Sequence, residues 1–294
     1  MQHNQRIIGI DIGGTKTHIG LVQDGKIILE KKIPTSSHAS QEQILEETAQ
    51  GIKHLIDSDT LGIGIGVPGL VDEKRGVVCS VQNIPSWKEV PLKQYLEDYF
   101  GRPVYVTNDA NSFVLGEKLY GKGKEFRNIV GVTLGTGFGS GIIANNKLYS
   151  GTLSSAGEFG GIPYLDKTIE DYCSGKMFEN GFGMNGGMVR ELAEKGHTDA
   201  LEIFEQFGHH LGSALKIILY ALSPEAIFLG GSISKSFPFF EKAMRNSLAT
   251  FPFKTVLDRT VIEPSAIDKA AVLGAAALFQ MKNKAKTSFN KASV

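Results

Sequence analysis

The stretch GIDIGGTKT, residues 9–17, places a carboxylate, two glycines, a threonine and a lysine directly after an apolar, β-branched run. Gly13 and Gly14 let a backbone come close to a ligand and turn N–H groups toward it, Thr15 adds a hydroxyl, and Lys16 can add a cation. Asp11, at the end of the strand, can hold Mg2+ directly or through water. This set suits the phosphates of a nucleotide. Its spacing excludes two other phosphate loops, G-x-x-x-x-G-K-[ST] and G-x-G-x-x-G. A second loop, LGTGFGSG at 134–141, offers Gly135, Thr136 and Gly137 as further backbone donors for the outer phosphates. In FLGGSIS, 228–234, Gly230 and Gly231 would let an adenine ring lie against bare backbone; taken alone, that pair reads as an ordinary turn. Tight turns are the plain alternative for the other two loops as well, and a hairpin lysine such as Lys16 is usually solvated.

These residues need strands and helices to position them. RIIGIDI, HIGLVQ and KIILEKKIPT, separated by Gly-Gly and Asp-Gly turns, read as three antiparallel strands. Ile44, Leu45, Ile52, Leu55 and Ile56 give Ser40–Ser58 a helical period. LGIGIGVPG follows as a buried strand, PLKQYLEDYF as a helix, PVYVTN as a strand, and DANSFVLGEKLY as a helix with Asp109 near its start. About 120 residues after the first loop, NIVGVTL, GTGFGSG and GIIANNKLYSG repeat the order strand, glycine loop, strand, polar turn, strand. Duplicated loops at equivalent places predict a pair facing each other across a cleft.

Beyond the repeat lie an irregular stretch at 152–164 and a short helix near IEDYCSGKMFE. A long helix, DALEIFEQFGHHLGSALKIILYAL, carries an apolar stripe of Leu201, Phe204, Leu211, Leu215, Ile218 and Leu219. Its adjacent His209 and His210 diverge by about 100° and cannot chelate together, which leaves packing or solvent. SPEAIFLGGSIS reads as strand, turn and helix start, TVIEPS as the last strand, and DKAAVLGAAALF as the closing helix, followed by a frayed basic tail that Met281–Lys284 can enter as helix.

Composition narrows the function classes. The 294 residues carry 31 acidic and 31 basic side chains and 41% apolar residues, which suits one or two globular domains and excludes disorder. Balanced charge gives no footprint for nucleic acid or an anionic membrane, so small-molecule work is expected. Cys79 and Cys173 cannot make a disulfide framework. The first strand begins too early for a signal peptide, and the longest apolar run, 270–279, is too short to cross a bilayer, so the expectation is a soluble, cytoplasmic protein.

Six segments taken in order, GIDIGGTKT, GVPG (66–69), TNDAN (107–111), GTGFGSGII, AGEFG (156–160) and LGGSIS, resemble the ROK family (repressors, open reading frames and sugar kinases) of the actin-like ATPase superfamily over essentially the whole chain. The resemblance implies an α/β fold of two ribonuclease-H-like domains closing over ATP, with Mg2+, and a hexose. The expected division is a smaller domain, 1–119 plus 278–294, and a larger one, 120–277. Family repressors carry an added N-terminal helix-turn-helix; this chain reaches its first strand near Arg6, which argues for a kinase.

By position in the family pattern, Asp109 is the catalytic aspartate that takes the proton of the attacking hydroxyl, typically at carbon 6, and Asn108 bonds a neighbouring hydroxyl. N-capping is the alternative use of that Asn-Asp pair. Glu158 and Glu170 match carboxylates that bind ring hydroxyls, while Gly69 and Asn83 match a backbone turn and an amide lining the same pocket. Trp87 reads as core. Many members follow the AGE segment with Gly-His, whose histidine touches the sugar and joins three cysteines around zinc. Here Gly161 replaces that histidine and the cysteine segment is absent, so no zinc is expected. By the same resemblance, the missing histidine is expected to leave room on the carbon 1 and carbon 2 side of the sugar for an N-acetyl or β-glycosidic substituent. Family members often form dimers, and FPFFEKAMRNSLATFPF, 237–253, suits either core or a homodimer interface.

Overall fold

The computed structural model describes residues 6–81 and 83–292. The chain divides into two compact units: one gathers the segments ending at Lys124, Lys147–Ala156 and the segment beginning at Ile267, the other Glu125–Asn146 and Gly157–Ala266. Sequence reading placed the last boundary at 277/278, which would cut the C-terminal helix Ala270–Ala292. That helix stays whole with the first unit, which also takes Lys147–Ala156 and is the longer of the two in residues.

In the first unit, β1 (Arg6–Ile12), β2 (Lys16–Gln23) and β3 (Lys26–Pro34) form the expected meander. After α1 (Gln41–Lys53), β4 (Thr60–Val67) adds to β1 in parallel. Three short strands not anticipated from sequence follow, β5 (Leu70–Asp72), β6 (Val77–Ser80) and β7 (Lys88–Val90), as a separate antiparallel sheet. Next come α2 (Leu92–Phe100), β8 (Val104–Asn108) and α3 (Asp109–Tyr120). The main sheet has the order β3-β2-β1-β4-β8.

Strand alternation divides β1 between two faces. Ile8, Ile10 and Ile12 are fully buried in a core with Ile63 and Ile65 of β4, Ile44 and Ile52 of α1, and Leu92 and Leu96 of α2; Trp87 lies in it, as expected. The opposite face carries Gly9 and Asp11. There the C-terminal helix comes so near that a Cβ on Gly9 would lie 2.2 Å from Val272 O, and one on Gly64 1.8 Å from Ala275 O. The tail expected to fray continues this helix to Ala292.

The second unit begins with β9 (Ile129–Leu134) and β10 (Phe138–Ala144), which leads through Asn145 and Asn146, at φ of 51° and 64°, into β11 (Lys147–Leu148). A two-stranded ladder, β12 (Pro163–Tyr164) and β13 (Lys167–Thr168), precedes α4 (Ile169–Cys173) and α5 (Gly175–Phe182). These two helices replace the single one expected, because Ser174 takes an extended conformation and caps α5 through its hydroxyl. After α6 (Gly186–Glu194), absent from the sequence reading, α7 (Thr198–Leu222) spans 25 residues. Its stripe is buried except for Leu201, 38% exposed, because Ala200, Ile203, Phe204 and Phe207 set the inward face.

β14 (Ala226–Gly230) pairs in parallel with β9, α8 (Phe237–Leu248) lies against α7, and α9 (Lys254–Leu257) precedes β15 (Val261–Pro264), which pairs with β14. Strands β10, β9, β14 and β15 thus repeat the order of β2, β1, β4 and β8. Phe240 and Phe251 of the aromatic segment are core, whereas Phe253 is 59% exposed.

Candidate active site

Asp11, Gly66 and Thr107 share one register across β1, β4 and β8, at the carboxyl ends of three parallel strands, where α/β sheets present their ligand sites. Gly66 lets the start of α3 close onto β4, since a Cβ there would meet Ser112 Oγ at 2.5 Å and Asp109 Cα at 3.4 Å. Asp109 is therefore the first residue of α3, beside the strand end that carries Asp11.

Burial raises the Asp109 pKa above the usual carboxylate range, although its own carboxylate accepts from Ala110 N–H at 2.9 Å. Asp11 is pushed up to about 7, first by burial and then by the Asp109 charge. Two carboxylates that resist ionising together suit a general base beside a cation site. Oxygen donors of this kind match a hard divalent ion such as Mg2+. Among the described residues, no cluster of three or more His, Cys, Asp or Glu side chains is placed to hold a metal.

Asn108 is the N-cap of α3. Its Oδ1 accepts from Ala110 N–H at 2.8 Å and Asn111 N–H at 3.4 Å, and its Nδ2 donates to Gly69 O at 3.2 Å. Capping, the alternative weighed from sequence, thus engages the carbonyl oxygen of an amide expected to face a sugar hydroxyl. Gly69 has φ of 87°, and a Cβ on it would lie 2.1 Å from Ser80 O, so the turn admits only glycine. Exposed Asn83 sits against the first glycine loop, its Cβ 2.8 Å from where a Gly14 Cβ would stand. In that loop Gly13 N–H donates to Lys16 O at 2.9 Å, which removes it from the donors expected to face phosphate. Thr15 and Lys16 are exposed.

The second unit's loop is tied down by its own helices. Gly135 N–H donates to Gly137 O at 3.1 Å, so it too is internally engaged, and Gly135 O accepts from Gly175 N–H at 2.7 Å. Glu170 Oε2 accepts from Phe138 N–H at 3.0 Å, and its Oε1 pairs with Lys176 Nζ at 2.6 Å. A side chain at Gly137 would meet that carboxylate, its Cβ 2.6 Å from Oε2. Glu170, expected to hold ring hydroxyls, therefore buttresses the loop that carries Thr136, and Lys176 joins it unannounced by the sequence. Glu158 is exposed beside the turn Phe159–Gly161, and a Cβ on Gly161 would meet nothing within 4 Å. Gly231, at φ of 84°, lets its turn close on β9, with a Cβ position 2.2 Å from Leu134 O, so that the Gly230–Gly231 turn adjoins the loop. His210 packs on Tyr164 and Tyr172 while His209 is exposed, which matches the packing-or-solvent expectation.

A repeated sheet order with an antiparallel second strand, glycine hairpins between its first two strands, and carboxylates at a strand end define an α/β fold of the actin-like ATPase class. The chain belongs to the ROK family, whose model matches residues 7–282. It is 31% identical to a glucokinase of Streptomyces coelicolor over 92% of this chain and 96% of that protein. It is also 28% identical to a xylose repressor of Bacillus spizizenii over 90% of this chain and 74% of that protein. Among solved structures, a ROK glucokinase from Streptomyces griseus in complex with glucose and AMPPNP gives a TM-score of 0.82 at 28% identity, covering 93% of this chain and 98% of that one.

Proposed function

We propose that this protein transfers the terminal phosphoryl group of ATP to the 6-hydroxyl of a hexose, glucose or a close relative. The observation that carries this reading is the pair of half-buried carboxylates, Asp11 and Asp109, set at the strand ends and each with a raised pKa. Asp109 takes the hydroxyl proton as the sugar oxygen bonds to the γ-phosphorus; the bond from that phosphorus to its bridging oxygen breaks, and ADP leaves with the electron pair. Asp11 would hold Mg2+ directly or through water, and the ion supplies charge neutralisation on the phosphates when bound. In the first unit Gly14, Thr15 and Lys16 are assigned to the phosphates; in the second, Thr136 and Gly137 have the same assignment and Gly230–Gly231 is assigned to adenine. Gly69, Asn83, Asn108, Glu158 and Glu170 are assigned to the sugar. Similarity to glucokinases supports a sugar acceptor.

A second reading concerns the substrate alone. Open space at Gly161 favours a hexose with an N-acetyl or β-glycosidic substituent. Similarity to a xylose repressor raises a non-catalytic regulator as well, but such a protein needs no base with a raised pKa. A panel of glucose, N-acetylglucosamine, N-acetylmannosamine and a β-glucoside at fixed ATP, with the phosphorylated carbon assigned by NMR, tests all three. Sugar-dependent ADP and a 6-phosphate are expected. Sharp preference for unsubstituted glucose would reject the substituted acceptor, and no ADP with any sugar would reject the kinase.

A further inference from the structure

Glu73, just past β5, touches all three chain segments that make up the first unit. Its Oε1 accepts from Thr107 Oγ1 at 2.6 Å and from Ser154 Oγ at 3.2 Å, and its Oε2 pairs with Lys282 Nζ at 3.0 Å. Thr107 lies in the first segment, Ser154 in Lys147–Ala156, and Lys282 on the C-terminal helix. The Glu73 side chain is only 13% exposed, and Thr107 is wholly buried. A carboxylate so withdrawn from water is disfavoured unless its oxygens are satisfied, and here both are. Ser154, 3% exposed, follows Leu153 at left-handed φ of 58° and 51°, a backbone that persists only where its surroundings hold it. Its one hydroxyl proton, shared between Glu73 Oε1 and Val71 O at 3.2 Å each, does so.

Thr107 immediately precedes Asn108 and Asp109. Its Oγ1, while donating to Glu73, accepts from Asn111 Nδ2 at 3.4 Å, so one hydroxyl bridges the end of β8 and the first turn of α3, on both sides of Asp109. We propose that Glu73 is a positioning residue for phosphoryl transfer: through the Thr107 hydroxyl it fixes the β8–α3 junction, and with it the Asp109 carboxylate, while Ser154 and Lys282 hold Glu73 in place. The proposal rests on the kinase reading above. Lys282 is 44% exposed, and a half-solvated ion pair contributes little, so the hydrogen bonds rather than the charge carry the effect.

Kinetics of Glu73→Ala, Glu73→Gln and Thr107→Val, with amide hydrogen exchange on the same proteins, test this. In Glu73→Ala and Thr107→Val, kcat should fall at least about tenfold while KM for ATP stays within about twofold. Glu73→Gln, whose amide oxygen still accepts from both hydroxyls, should recover to within about threefold of the parent. Exchange at the Ala110 and Asn111 amides should quicken at least about tenfold in the two impaired variants. Parent-like turnover in Glu73→Ala, glutamine as damaging as alanine, or unchanged exchange in Thr107→Val would each overturn the proposal. Thr107→Val, nearly isosteric, decides the matter if Glu73→Ala fails to fold. Should the parent phosphorylate no hexose, the kinase reading fails, and the exchange rates still decide whether Glu73 holds the junction.

Discussion

Asp109 combines three constraints: the chain places it at the first position of α3, Gly66 lets it approach β4, and burial then raises its pKa. A base must be ionised to act, so kcat/KM falls as pH drops through its pKa. The acidic limb of the pH–rate profile should lie above the ordinary carboxylate value of about 4, and a limb at that value would contradict the burial argument. Glu170 invites a different test. Because its carboxylate holds Phe138 N–H against Gly137, Gly137→Ala should push it aside and raise KM for ATP by about tenfold, with little change in melting temperature. Equal KM values for variant and parent would show that the buttress does not matter to nucleotide. Asp11 was legible from DIGGTKT, because an acid at a strand end beside two glycines suits a cation and phosphates, whereas Asp109 was legible only through the family resemblance of TNDAN, since an Asn-Asp pair before a helix reads by itself as a cap. Lys176 and Glu73 were not legible: one meets Glu170 across the break at Ser174, the other meets Thr107 from 34 residues away, and no local spacing reports either encounter.

At the scale of elements, the C-terminal helix approaches both the first sheet and α3 through glycine. Placing Cβ atoms at Gly64 or Gly274 would put them 1.8 Å from Ala275 O and 1.6 Å from Ser112 O, against backbone that no rotamer change can move. Gly64→Ala should therefore lower unfolding free energy by about 3 kcal/mol or more, read by denaturant titration, whereas Gly101→Ala, with open space at its Cβ, should cost about 1 kcal/mol for its left-handed φ of 61°. A similar loss at both sites would deny the close approach. The long periodic elements β1–β4, α1, α3 and α7 were legible because alternation and helical period persist over many residues. The strands β5–β7 were not: three or four residues each, without a sustained alternation, give periodicity nothing to act on. The split between α4 and α5 was hidden too, since it depends on the backbone conformation of Ser174.

For the molecule as a whole, duplication was visible because the strand and glycine-loop order recurs, and the recurrence holds in the strand order of two sheets. Segment 147–156 joining the first unit had no sequence signal, because membership depends on contacts such as Ser154 with Glu73. Asp11 gives a prediction at this scale. Its pKa rises from 3.8 to about 7 on folding, so the folded state binds more protons between those values. Its contribution to stability is present below the unfolded value and lost as pH rises through about 7. Mg2+ should therefore raise the melting temperature more near pH 8 than near pH 5, because the ion favours the ionised carboxylates. An equal shift at both pH values would place the ion elsewhere.

The most direct test of the account is turnover by Asp109→Asn, with sugar affinity measured by calorimetry on the same protein. The expected result is a kcat lower by about 10²–10⁴-fold with the dissociation constant for the sugar within about threefold of the parent. Turnover near the parent rate would contradict the role of Asp109 and, with it, the mechanism built on the carboxylate pair.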